Sequence, residues 1–102
     1  MRVLLKQPGL PEEVIEIPNE LKDLQKAVGG YITTVRITAH IVMICDEEGL
    51  LKERLPNCYI HGELYVGPLL FVGVDKENFR DLTDRDIATV KRLIKLYPWR
   101  NA

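Results

Sequence analysis

Asp46, Glu47 and Glu48 are three consecutive carboxylates, followed by Gly49, at the end of the apolar run Ile41 to Cys45. Carboxylates grouped at a strand end suit Mg²⁺ binding or acid–base work. The run does not alternate its oxygens as a calcium loop would. It reads first as a solvated turn with Gly49 at positive φ, and second as a binding surface of carboxylates and backbone amides. His40, Cys45, Cys58 and His61 are zinc-ligand types at the spacing His-x4-Cys-x12-Cys-x2-His. No Cys-x2-Cys knuckle is present, and along a strand Cys58 and His61 would face opposite ways, so no metal is expected. Cys45 would be a nucleophile if His40 or His61 reached it as a base. At the end of so apolar a strand the thiol is expected to be inert. No Ser-centred elbow and no Gly-x4-Gly-Lys-Ser/Thr phosphate loop occurs. Gly29-Gly30 and Asn57 complete the set. Glycines let a ligand near the backbone and an amide can touch it, although helix ends and turns use the same residues.

These residues fall at the ends of elements. Arg2 to Lys6 and Glu13 to Ile17 read as strands paired about the turn Pro8-Gly9-Leu10-Pro11. Leu21, Leu24, Ala27 and Val28 have helical spacing, with Asn19 as the expected N-cap and Gly29-Gly30 as the stop. Tyr31 to Thr38 is β-branched. Ile41 to Cys45 reads as a central strand buried on both faces. Leu50 to Leu55 has neither period. Cys58 to Ile60, Leu64 to Val66 and Leu69 to Val74 read as further strands. A capping box, Thr83-Asp84-Arg85-Asp86, opens a last helix with the stripe Ile87, Val90, Leu93, Ile94 and Tyr97. The order predicts a single α+β domain over residues 1–102, with one mixed or antiparallel sheet and two helices, placed on one face.

At 102 residues with a net charge of −1, the chain has room for one domain and lacks the basic excess of a dedicated phosphate-backbone binder. Two cysteines make no disulfide framework, no apolar run spans a bilayer, and the N-terminus reads as no signal peptide. A cytoplasmic setting with free thiols is expected, with no membrane and no cofactor.

Gln7-Pro8-Gly9 with Pro11, Glu16-Ile17, Leu24-Gln25-Lys26-Ala27-Val28-Gly29-Gly30-Tyr31-Ile32, Ile44-Cys45-Asp46-Glu47-Glu48-Gly49, Leu55-Pro56-Asn57, Gly67 and Phe71-Val72-Gly73 together resemble the bacterial and phage domain of unknown function family numbered 3846. The likeness covers about residues 1 to 88. Two positions depart from it. Asp46 stands where the family more often has Asn, and Cys58 where it often has Arg. The resemblance implies a phage, prophage or plasmid origin and brings no reaction.

The expected function is therefore a non-catalytic binding protein of a phage or mobile element, an antagonist of host defence that binds a host protein or sequesters a nucleotide-like signal. Its site is expected at Gly29, Gly30, Asp46, Glu47, Glu48, Gly49 and Asn57. A small enzyme built on Cys45 with a carboxylate and a His is the alternative. A nucleic-acid-binding regulator using Arg85, Lys91, Arg92, Lys95 and Arg100 is a further one. Leu96, Tyr97 and Trp99 suggest a two-fold homodimer, with Tyr97 and Trp99 in the contact.

Overall fold

Period-two alternation in two buried strands organises the whole molecule. The computed structural model describes residues 1–96, so Tyr97, Trp99 and Arg100, with the dimer contact expected there, lie outside the described residues. The elements are β1 (Arg2–Lys6), β2 (Glu13–Glu16), α1 (Leu21–Val28), β3 (Ile32–Thr38), β4 (Ile41–Asp46), β5 (Pro56–Ile60), β6 (Glu63–Val66), β7 (Leu69–Asp75), β8 (Asn78–Arg80) and α2 (Asp84–Leu96). The main sheet runs β2-β1-β7-β4-β3, with β8 added to β7, and every pairing is antiparallel.

All of β4 is buried, between β3 and β7, as the apolar run Ile41 to Cys45 predicts. Ile41, Met43 and Cys45 join Leu69 and Phe71 of β7 beneath Ile87, Val90 and Ile94 of α2. The intervening Val42 and Ile44 join Leu70, Val72 and Val74 beneath Leu24 and Val28 of α1. The α+β class and the two helices stand. The helices, however, lie on opposite faces of the sheet, not on one. A strand apolar on both sides needs cover on both, and one helix layer cannot supply it. The Cys58 and Leu64 runs pair with each other as a separate two-stranded sheet, β5-β6. Cys58 and Ile60 close the α2 face beside the helix. The sequence reading also lacks β8, only three residues long and half-buried at best.

Helix ends follow local chemistry unevenly. At α2 the capping box forms as predicted. Asp86 N–H donates to Thr83 Oγ1 (3.1 Å) and Thr83 N–H donates to Asp86 Oδ2 (3.0 Å). At α1 the expected Asn19 cap is replaced by Glu20, extended and without a side-chain cap bond. The Asn19 amide is drawn instead to the carbonyl of Phe79 (3.4 Å). Among the described residues no helix is long and apolar enough to cross a membrane.

Candidate functional site

The site begins with a carboxylate at the end of a strand. Asp46 closes β4, and its side chain is only 1% exposed. Its Oδ1 accepts the N–H of Glu48 (3.0 Å), which turns the chain. Its Oδ2 accepts from Lys52 Nζ (3.0 Å) and Arg54 Nε (2.9 Å). Arg54 Nη2 reaches on to Gly29 O (2.7 Å), the carbonyl at the end of α1. Two cations thus meet both the carboxylate and the negative end of a helix. Burial works to raise the Asp46 pKa. The Glu48 N–H, the bonds from Lys52 and Arg54, and the charge of Lys52 outweigh it and hold the carboxyl below the ordinary range.

This clasp explains the glycine pair. Gly29 has φ 82, the left-handed conformation of a helix C-cap. A side chain at Gly30 would have to displace the clasp. A Cβ there would stand 2.5 Å from Lys52 Nζ and 2.6 Å from Asp46 Oδ1. Gly49 does not have the positive φ expected of it. It is buried, and a Cβ there would stand 3.1 Å from Val66 Cγ2 and 3.3 Å from Asp46 O, while its backbone N–H donates to Asp46 O (3.1 Å) and its carbonyl accepts from Arg54 N–H (3.2 Å).

The loop of residues 47–55 is therefore turned inside out. Its cations point inward to Asp46, and its leucines point outward. Leu50, Leu51 and Leu55 are 76%, 83% and 71% exposed. Glu53, at φ 52, bends the backbone between the two clasping cations. Beside the loop lies a pocket of about 390 Å³, bordered by Leu50, Leu51, Leu64, Tyr65, Val66 and Cys45, with Glu47 and Glu63 also on its lining. The Tyr65 hydroxyl donates to Glu63 Oε2 (3.0 Å). Burial first, then that bond, the charge of Glu63 and the proximity of Cys45, push the phenol up to about 12.

The expected site residues thus separate. Gly29, Gly30, Asp46 and Gly49 come together as the clasp. Glu47 and Glu48 are exposed on its outer side. Asp46 belongs to no solvated turn, because its carboxylate is spent on Lys52 and Arg54. Asn57 is buried, and its amide donates to Lys6 O (2.7 Å) and Gly67 O (2.8 Å), a strut tying β1 to the β6–β7 turn, so it presents nothing at the surface. The sequence reading missed Lys52, Arg54 and the leucines. Their signal is the segment Leu50-Leu51-Lys52-Glu53-Arg54-Leu55 itself, apolar yet without a helical or strand period.

Both thiols are buried. Burial, and next the charge of Asp46, raise the Cys45 pKa. Burial takes Cys58 to about 11 against the opposing charge of Lys6. Neither histidine lines the pocket that Cys45 borders. The His61 ring lies 3.2 Å from Arg36 O, and His40 borders a separate cavity with Arg85 and Asp86. Among the described residues no three His, Cys, Asp or Glu side chains converge as a metal site. Native Cys45 is expected to resist iodoacetamide at pH 7 while the urea-unfolded chain is alkylated fully. Alkylation of the native protein at the rate of the unfolded one would restore the nucleophile.

The fold and site define a small α+β domain in which a helix end and a strand end are locked together by a clasped, leucine-bearing loop. The chain belongs to the family described as Domain of unknown function (DUF3846), whose model matches residues 1–95. No curated protein and no solved structure matches it.

Proposed function

We propose that this chain is a non-catalytic binding module of a phage or mobile element, acting inside the bacterial host, that docks on a host protein through the loop of residues 47–55 and so antagonises host defence. The observation that carries the docking is the inverted loop, with Leu50, Leu51 and Leu55 more than two-thirds exposed and the first two lining a pocket with Leu64, Tyr65 and Val66. Single exposed leucines need no explanation, whereas a group of them beside a pocket marks an interaction surface. Covering one leucine fully stabilises a complex by about 1.5–3 kcal/mol at most. The Asp46 clasp holds the loop in one conformation, which lowers the ordering cost of association.

Of the two target classes the sequence suggests, a protein is favoured over a nucleotide-like signal. At this loop the cations Lys52 and Arg54 are engaged by Asp46, and the pocket's described lining carries no cation to meet a phosphate. The origin and the antagonism rest on the likeness in sequence.

Affinity capture from a lysate of the host bacterium, comparing the parent with a Leu50→Ser/Leu51→Ser double variant, tests this reading. Both side chains are exposed, so the unfolding midpoint should barely move. A dominant captured protein lost in the variant is the expected result. An identical captured set with both proteins would overturn it.

A further inference from the structure

The pocket beside the loop is electrostatically one-sided. Its described lining includes Asp46, Glu47 and Glu63, and no Lys, Arg or His. Lys52 and Arg54 together more than neutralise Asp46, and neither of them is on the lining. The charges left on the lining itself are those of Glu47 and Glu63, both exposed. Among the described residues Glu47 has no side-chain ion pair, and Glu63 holds the uncharged hydroxyl of Tyr65. The same lining carries the apolar residues Leu50, Leu51, Leu64, Tyr65 and Val66. Apolar walls, an aromatic ring and exposed carboxylates on one lining complement one kind of side chain, an aliphatic stem ending in a cation.

We propose that this pocket receives an arginine or lysine side chain of the docked partner protein, its stem along Leu64, Val66 and the Tyr65 ring and its charge at Glu47 and Glu63. The inference rests on the docking-loop reading and adds what the partner brings, a basic residue set among apolar ones. The apolar neighbours cover Leu50 and Leu51. A free amine carries the same cation but has nothing to lay over those leucines, which is why the source is a protein. The two carboxylates also select against acidic segments, since an unpaired like charge is costly at a closed interface.

The probe is a fluorescein-labelled peptide with one arginine between leucines, beside its twin with citrulline, the neutral isostere, in that place. Fluorescence anisotropy should show saturable binding of the arginine peptide, weakened by added salt. The citrulline twin should bind about tenfold more weakly or worse. Glu47→Gln/Glu63→Gln should weaken the arginine peptide by a similar factor and abolish the preference, with an unchanged unfolding midpoint. Equal binding of both peptides, lost in Leu50→Ser/Leu51→Ser, overturns the cation pocket and leaves the docking loop standing. Binding of neither peptide also overturns the pocket, and the loop then stands or falls by the lysate capture alone. Free L-arginine binding as tightly as the peptide overturns the assignment to a partner protein.

Discussion

Asp46→Ala is expected to destabilise the protein by about 2–4 kcal/mol and to release the loop of residues 47–55. Breaking a buried ion pair by removing one partner costs about 3–5 kcal/mol, because the other charge is left buried and uncompensated. Here the figure is discounted. Lys52 and Arg54 are partly exposed, so water can solvate them once the carboxylate is gone. Asp46 is closed off by its own partners more than by depth. The variant also loses the bond from the Glu48 N–H, and α1 loses the cations held at Gly29 O. Amide exchange should rise first at Glu48, Lys52 and Arg54, whose N–H groups bond within the loop or to its Asp46 anchor. Asp46→Asn separates the contributions. An Asn oxygen can still accept from Glu48, so the turn should survive while the ion pairs go. The carboxyl pKa is depressed on folding, so its contribution is complete above the unfolded value, near 4, and disappears as pH falls through the lower folded value. The stability difference between parent and Asp46→Asn should therefore be constant near neutrality and shrink below about pH 4. Urea midpoints across that range measure it. A difference that persists undiminished at pH 2 would mean the carboxylate charge is not what closes the loop.

The fold was far more legible than the site. Ile41 to Cys45 and Leu69 to Val74 are apolar at every position bar Gly73, which is enough to read both as strands and the first as central, although not to see that helices cover both sides of the sheet. The reciprocal bonds of Thr83 and Asp86 arise from residues three apart, so local sequence suffices. The assignment of helices to faces is not local. It depends on which alternate set, Val42 and Ile44 or Met43 and Cys45, each helix meets. The site was half legible for the same reason. Gly29, Gly30, Asp46 and Gly49 stood out as residue types at element ends, and they do meet. That Asp46 would be buried depends on Lys52 and Arg54 turning back over it, and no periodic pattern encodes a turn of that kind. Asn57 shows the converse. A turn-type residue after a proline was drawn into the interior because two carbonyls, of Lys6 and Gly67, needed its amide.

Phe71→Ala is expected to cost about 3–5 kcal/mol, the range for deleting a buried aromatic ring. Phe71 is fully buried at the middle of β7, opposite Leu4 of β1 and Met43 of β4. Its ring belongs to the cluster that seats α2 and β5. Ile44, also fully buried, belongs to the cluster beneath α1, and Ile44→Ala should cost about 2–4 kcal/mol. Against a usual stability of about 5–15 kcal/mol, either change leaves a folded but weakened protein at low temperature. The opposite faces then make a prediction that total stability alone would not. Sub-global amide exchange should rise first in α2 and β5 for Phe71→Ala, and first in α1 for Ile44→Ala. The loop of residues 47–55 touches both layers, since its clasp reaches the end of α1 and its pocket borders β6. Ile44→Ala should therefore loosen the hold of Arg54 on Gly29 O, and Phe71→Ala the wall formed by Tyr65 and Val66. If both variants instead lose protection in α1 and α2 together, the two clusters act as one core, and the loop is supported by the whole domain and not by its separate faces.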